Sequence, residues 1–515
     1  MTQELAADPA LGRLADAVLI PPFPGPDAPD WIREALGDGL AGVTLFGSNV
    51  TDRAQLAALT AQLRAAVTEP VIAIDEEGGD VTRISHQTGS DYPGNAALGA
   101  VDDVALTKAV YAALGADLRQ LGINLNLAPS VDVNTAADNP IIGTRAFGSD
   151  TGLVARHAAA AVAGLQSAGV AACAKHFPGH GSTRQDSHDV VATVQGTLAD
   201  LHSRDLPPFE AVIRAGVRAI MPSHLRVPEL TGNQPASLSA AALTGLLRGE
   251  LGFTGVIVSD GLEMRAVSAR YGIPETAVRA VMAGTDLLCL GRDIDQLTFL
   301  AVRAALIEAV RSGRFPGERL EEAAARVAEL RSWTAMTAHD HGVAAGRPAN
   351  AGAGRPGLSL PATDGQLGIA AARRAILEIG ATGTLRNPLV VQIDPPDNIA
   401  VGPVPWGIGA WLPASSSRHV STSLSPNQLA PAADALLAEA AGRSLLIVVR
   451  DAHRYPTATG LVSLLLAARP DATVVEMGLP VWRPAASTYL ASYGAARSNA
   501  LAVAERLGLA APQVL

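Results

Sequence analysis

Between Ala17 and Gly291 short apolar runs alternate with longer amphipathic stretches, the pattern of repeated βα units around a parallel sheet. Eight runs read as buried strands: Ala17–Pro22, Gly42–Phe46, Val71–Asp75, Ile123–Pro129, Val170–His176, Ala219–His224, Val256–Asp260 and Asp286–Leu290. The intervening stretches have helical spacing. Asp52–Val67 carries Leu56, Leu59, Leu63 and Val67 on one stripe and opens on a capping Asp-x-x-Gln. Eight strands with intervening helices predict an α/β fold, a TIM-type (β/α)₈ barrel, over residues 1–338, with a doubly wound sheet as the other architecture that fits the alternation. Residues 339–357 are rich in Gly, Ala and Pro with almost no large apolar side chain and read as a linker. In 358–515, Pro388–Ile393, Leu445–Arg450 and Ala472–Met477 look like buried strands, and Asn427–Ala441 and Ala495–Leu507 like helices, which predicts a smaller αβα domain.

Composition narrows the function classes. A net charge of −10 disfavours nucleic acid and anionic membrane surfaces as partners, because those select clustered Lys and Arg. No apolar stretch reaches the 18 to 20 or so residues that span a bilayer. The N-terminus carries Glu4 and Asp8 and lacks a basic region followed by an apolar one, so a cytoplasmic location is expected. The two cysteines, Cys173 and Cys289, sit in apolar runs and read as small buried hydrophobes.

The densest polar segment is Lys175-His176-Phe177-Pro178-Gly179-His180-Gly181-Ser182-Thr183-Arg184-Gln185-Asp186-Ser187-His188, directly after an apolar strand. Lys175 and His176 fall at the strand mouth, and Pro178, Gly179 and Gly181 bend the chain beyond it. Asp186 and His188 are two apart and leave extended backbone on one face. A carboxylate there fixes the imidazole tautomer and makes a proton shuttle. The pair alone would fit a solvated loop equally well; the whole run gives it weight. Zinc is the rival for His176, His180 and His188, but the four-residue step His176–His180 is ligand-like only on a helix, which Pro178 and the glycines oppose. No metal or organic cofactor is implied. Val256–Asp260 is an apolar strand ending on a carboxylate, a nucleophile candidate, though a strand-ending Asp is as often a cap or turn residue. Asp75 ends a strand and opens Asp-Glu-Glu-Gly-Gly-Asp, from which Arg83 follows; the paired glycines lack the spacing of a nucleotide fingerprint. Arg145 lies on the loop Asn139–Gly148.

Together these residues resemble the NagZ-like β-N-acetylhexosaminidases of glycoside hydrolase family 3 over roughly Ala17–Val327. The strongest likeness is Lys175–His188 to that group's Lys-His-Phe-Pro-Gly-His-Gly stretch ending in Asp-Ser-His. The resemblance implies Asp260 as nucleophile, His188 as acid/base and Asp186 as its orienting partner. It implies Asp75, Arg83, Arg145, Lys175 and His176 as binders of the terminal sugar, with His180 and His224 lining the pocket. Four positions depart from the pattern: Glu76 where Gln is frequent, Asp80 where Arg is frequent, Ser182 where Asp is frequent, and Gly261 in place of a second Asp beside the nucleophile. They bear on the aglycone side rather than on a reacting group.

The activity this implies is retaining, exo-acting hydrolysis of terminal β-linked N-acetylglucosamine from a small oligosaccharide or glycoconjugate. Two rivals stay open: phosphorolysis, since a neutral imidazole after the first step does not repel an anionic acceptor, and a sugar-binding protein without turnover. The C-terminal domain shows no residue cluster that compels a catalytic role, and a structural or interface one is expected.

Overall fold

The computed structural model describes residues 9–185, 191–194, 196–340 and 365–510. They fall into two compact units. Of these, the first comprises residues 9–76, 107–135 and those within 149–340; the second comprises residues 77–106, 136–148 and 365–510.

In the first unit every apolar run of the expected barrel contains a strand: β1 (Leu19–Ile20), β2 (Gly42–Leu45), β3 (Val71–Ile74), β4 (Leu125–Asn126), β5 (Ala171–Phe177), β6 (Ala219–Pro222), β7 (Val256–Ile257) and β8 (Leu288–Cys289). β2 to β7 pair in parallel in chain order, and β1 pairs in parallel with β8. Ser259 N donates to Leu287 O at 2.8 Å, Leu288 N to Val18 O at 2.8 Å and Thr44 N to Pro21 O at 3.2 Å, which carries the ladder from β7 through β8 and β1 back to β2. The strands are short because the walls of such a barrel need only a few residues each to fill its interior with side-chain layers. Ile20, Ala73, Leu125, Cys173, Met221, Val258 and Cys289 form that interior, and Val327 and Leu330 of the helix Gly317–Asp340 pack against it. Caps start the outer helices: Asp52 accepts from Gln55 N at 2.8 Å, Asp150 from Leu153 N at 2.7 Å and Asp295 from Thr298 N at 2.8 Å. The expected helix 52–67 is observed as Arg53–Ala66.

The second unit is built on a six-stranded sheet: β9 (Leu377–Ile379), β10 (Leu389–Asp394), β11 (Ser417–Ser421), β12 (Leu445–Val449), β13 (Thr473–Glu476) and β14 (Thr488–Ala491). Its order is β9-β14-β13-β12-β10-β11, all parallel except β9. The five parallel strands therefore run 2-1-3-4-5, a doubly wound arrangement with apolar clusters on both faces. Helices Pro426–Glu439, Pro456–Ala468 and Arg497–Arg506 belong to it, the first opened by a Ser425–Gln428 capping box. Strands β9, β11 and β14 were not legible as apolar runs. β11 reads Ser-Arg-His-Val-Ser because an edge strand needs no second buried face.

Residues 341–357 of the expected linker lie outside the described residues, and the helix Gly317–Asp340 covers its first two positions. Among the described residues no helix is long and apolar enough to cross a membrane.

Candidate active site

Side chains alternate along a strand, so the residue two positions beyond an inward-facing core residue faces inward one layer higher. Ala73, Cys173 and Val258 belong to the barrel interior. Two residues on stand Asp75, Lys175 and Asp260. The barrel's top layer, at the carboxyl ends of β3, β5 and β7, is therefore two carboxylates and an ammonium. The buried Cys173 thiol registers the same grouping: burial pushes its pKa far up, Lys175 opposes this, and Asp260 and Asp75 add to it. Lys175 is 3% exposed and ion-paired with Asp75, whose carboxylate keeps a partly open face.

His176 follows on β5. Its Nδ1–H donates to Asp132 Oδ2 at 2.7 Å, which directs Nε2 away from the pair. Asp132 also accepts from His180 N at 2.7 Å, from His176 N at 3.3 Å and from Ser130 Oγ at 2.9 Å. Burial works against this carboxylate, but the attraction of His176 and His180 and the hydrogen bonds from them outweigh it and hold its pKa well below the usual carboxylate range. The turn after His176 is tight because it lies directly on the β4 loop: a Cβ on Gly181 would sit 1.9 Å from Val133 O. The Lys175–His176 and Phe177–Pro178 peptides are cis.

Asp260 extends past β7 and is partly exposed, with its Oδ1 accepting from Gly261 N at 2.8 Å. Its neighbours are pinned on both sides. Ser259 Oγ accepts from Cys289 N at 2.9 Å. His224 Nε2 lies 2.9 Å from Gly261 O, and because a carbonyl only accepts, Nε2 carries the proton and Nδ1 is left to accept from Ser237 Oγ at 2.7 Å. His180 donates from Nδ1 to Thr183 Oγ1 at 2.6 Å, the Thr183 hydroxyl proton going to His180 O at 2.9 Å. His180 and His224 were expected to line the pocket. Both are wholly buried instead and brace the loops that carry His176 and Asp260.

Arg83 and Arg145 belong to the second unit. Arg145 donates from Nε and Nη2 to both oxygens of Glu77 at 2.9 and 2.7 Å, a buried bidentate pair, and from Nη1 to Ile141 O at 3.1 Å. Arg83 donates to Ala400 O at 2.9 Å and Val401 O at 3.2 Å. Asp80 is buried, accepting from Thr144 Oγ1 at 2.7 Å and Ala495 N at 2.8 Å, with Arg450 Nη2 at 3.1 Å. Asp186 and His188 lie outside the described residues.

Sequence reading missed Asp132 and Glu77. A partial signal for Asp132 is present: in Asn124-Leu125-Asn126-Leu127-Ala128-Pro129-Ser130-Val131-Asp132 the polar residues Asn124, Asn126, Ser130 and Asp132 interrupt an otherwise apolar run. Asn124 and Asn126 bridge to the neighbouring strand, accepting from Ile72 N at 2.8 Å and Glu76 N at 3.0 Å. Glu77 had no such signal, since three acids stand within Asp75–Glu77 and their order does not say which meets an arginine.

A family description, the glycosyl hydrolase family 3 N-terminal domain, matches residues 28–330. β-Hexosaminidase A of Pseudoalteromonas piscicida is 34% identical over 319 residues, 57% of this chain and 53% of that protein. The chain thus spans about half the length of that relative. The β-hexosaminidase of Stenotrophomonas maltophilia is 37% identical over 276 residues, 52% of this chain and 80% of its own. The solved structure of a glycoside hydrolase family 3 β-N-acetylglucosaminidase from a Paenibacillus species is similar with a TM-score of 0.84 at 32% identity, covering 98% of each chain.

Proposed function

We propose that this chain, which belongs to glycoside hydrolase family 3, removes terminal β-linked N-acetylglucosamine from the non-reducing end of small glycans by hydrolysis with retention. The observation that carries the reading is the top layer of the barrel, Asp75, Lys175 and Asp260 over a closed apolar interior, in a chain similar along its length to a β-N-acetylglucosaminidase. A carboxylate, partly exposed and held at its neighbours on both sides, is what a retaining enzyme needs to trap an oxocarbenium-like centre.

The mechanism is a double displacement. Asp260 attacks the anomeric carbon as the glycosidic C–O bond breaks, and His188, as imidazolium oriented by Asp186, gives its proton to the leaving oxygen. Neutral His188 then takes a proton from water, whose oxygen attacks the anomeric carbon and releases Asp260. Asp75, Lys175 and His176 hold the sugar hydroxyls, with Arg83 and Arg145 as the further sugar binders.

The test is turnover of a nitrophenyl N-acetylglucosaminide together with a fluorinated-sugar trap. Labelling is expected on Asp260 and on no other carboxylate, and Asp260→Ala should lower kcat by a factor on the order of 10³ or more with little change in Tm. Near-wild-type turnover by Asp260→Ala would overturn the nucleophile assignment. A product distribution that shifts to sugar 1-phosphate when phosphate is added would replace hydrolysis by phosphorolysis.

A further inference from the structure

A doubly wound sheet ordered 2-1-3-4-5 opens a crevice at the carboxyl ends of its first and third strands, where such folds ordinarily seat a ligand. Here those strands are β10 and β12. The residues just beyond them are occupied, and by the chain itself. Arg450, the first residue after β12, reaches Asp80 at 3.1 Å. Asn398, after β10, donates to Pro140 O at 2.8 Å, and His453 Nε2 donates to Ala137 O at 2.7 Å. All belong to the second unit, in which the segments Glu77–Leu106 and Ala136–Gly148 pack with the sheet.

Asp80 is the junction. Its side chain is 3% exposed and that of Arg450 14%, so the pair is largely withdrawn from water, where an ion pair fixes geometry more firmly than at the surface. The oxygen that faces Arg450 also accepts from Thr144 Oγ1, and the other accepts from Ala495 N beyond β14. Thr144 is bonded directly in the chain to Arg145. Glu77, which accepts from Nε and Nη2 of the Arg145 guanidinium, is tied to the same turn through Glu77 N to Val81 O at 3.1 Å. One carboxylate thus sets both the backbone before Arg145 and the segment that carries its partner. Asp80, the position that departs from the family pattern, is matched by an arginine from the C-terminal sheet.

We propose that Arg450 is a positioning residue for substrate binding, acting through Asp80 and Thr144 to set Arg145, and that the C-terminal sheet thereby contributes to sugar affinity without supplying a reacting group. The proposal rests on the reading of Arg145 as a sugar-binding residue.

The test uses the full chain and KM and kcat on a nitrophenyl N-acetylglucosaminide. Arg450→Met should raise KM about tenfold with kcat changed by less than about threefold, because an interaction shared by ground and transition states is lost. Arg450→Lys should recover part of the loss. Thr144→Val, which removes a single hydrogen bond, should raise KM about threefold while Tm stays near that of the unaltered chain, and keeps the test open if Arg450→Met does not fold. The decisive measurement is the cycle with Arg145→Lys: the KM increase from Arg450→Met, or from Thr144→Val, should vanish in that background. Additive KM increases, or unchanged KM in both Arg450→Met and Thr144→Val, would overturn the proposal. Unchanged KM in Arg145→Lys alone would remove its premise, and absence of turnover by the unaltered chain would instead sink the hydrolase reading beneath it.

Discussion

The two units place their charged groups in different ways. In the first, Asp75, Lys175 and Asp260 at the barrel mouth each stand two residues beyond a core residue, Ala73, Cys173 and Val258 respectively. Local β geometry delivers them, and neighbouring loops then brace them. In the second, the buried pairs Glu77–Arg145 and Asp80–Arg450 join segments separated by 68 residues in the first case and by most of the chain in the second. There the contact makes the geometry, and neither partner has a strand that dictates its position. Sites of the first kind should tolerate loss of distant chain; those of the second should not.

The largest expected effect tests that contrast directly. Deleting Leu360–Leu515 takes from Glu77–Leu106 and Ala136–Gly148 the sheet they pack with, leaving Asp80 without Arg450 and with its carboxylate no longer matched. The fragment should lose cooperative unfolding or solubility, read by calorimetry and sedimentation. A soluble fragment with unaltered kcat/KM would erase the distinction between the units.

Next in size is His188→Ala. Loss of a positioned acid/base should slow substrates with poor leaving groups by roughly 10² to 10⁴, and an activated nitrophenyl glycoside far less in its first step, with azide partly restoring turnover. Asp186→Ala should show the same pattern more mildly. Equal losses on both leaving groups without azide rescue would remove His188 as the proton shuttle.

Asp132→Asn sharpens the contrast within the first unit, because it strips a brace and leaves the strand-borne groups in place. Breaking a buried charged pair costs about 3 to 5 kcal/mol, measured by urea unfolding at neutral pH. The Asp132 pKa is depressed on folding, so its contribution is full above the unfolded carboxylate value near 4 and fades as pH falls through the folded one. The stability difference between unaltered chain and variant should therefore shrink on acidification. A difference that grew instead would show that His176 is not what holds Asp132 charged.

The smallest effect is expected at Asp205, which lies under the same turn: a Cβ on Gly179 would meet Asp205 Cβ at 2.6 Å. Burial raises the Asp205 pKa to about 6 against the pull of Arg204. Its sign is opposite to that of Asp132. The raised group gives stability that is full below about pH 4 and lost as pH climbs through about 6, at most about 3 kcal/mol for a shift of about two units. Asp205→Asn should flatten the stability profile between those values; an unchanged slope would assign it to other groups.

The contrast between the units also marks how much could be read in advance. All eight barrel strands and the polar run that begins at Lys175 were visible because barrel strands are nearly continuous apolar runs and the polar residues that follow them interrupt the pattern abruptly. The family resemblance added roles that spacing could not. The buried state of His180 and His224 was hidden, because a histidine in a polar loop reads as exposed until its partners, Thr183, Ser237 and the Gly261 carbonyl, are brought to it. In the second unit the apolar strands β10, β12 and β13 were legible and the edge strand β11 was not.

What the sequence determined by itself is what depends on neighbours a few residues away: strand and helix identity through apolar period, helix starts at Asp52 through a side chain that reaches three residues on, and the inward direction of Asp75, Lys175 and Asp260 through alternation. Only the tertiary structure decided which acid meets which base. Asp132 with His176, Glu77 with Arg145 and Asp80 with Arg450 are long-range choices. A charge carries no mark of its partner along the chain. The pairing is fixed only when burial removes water as the competing ligand and leaves each group to the one counter-charge that the fold has brought within reach.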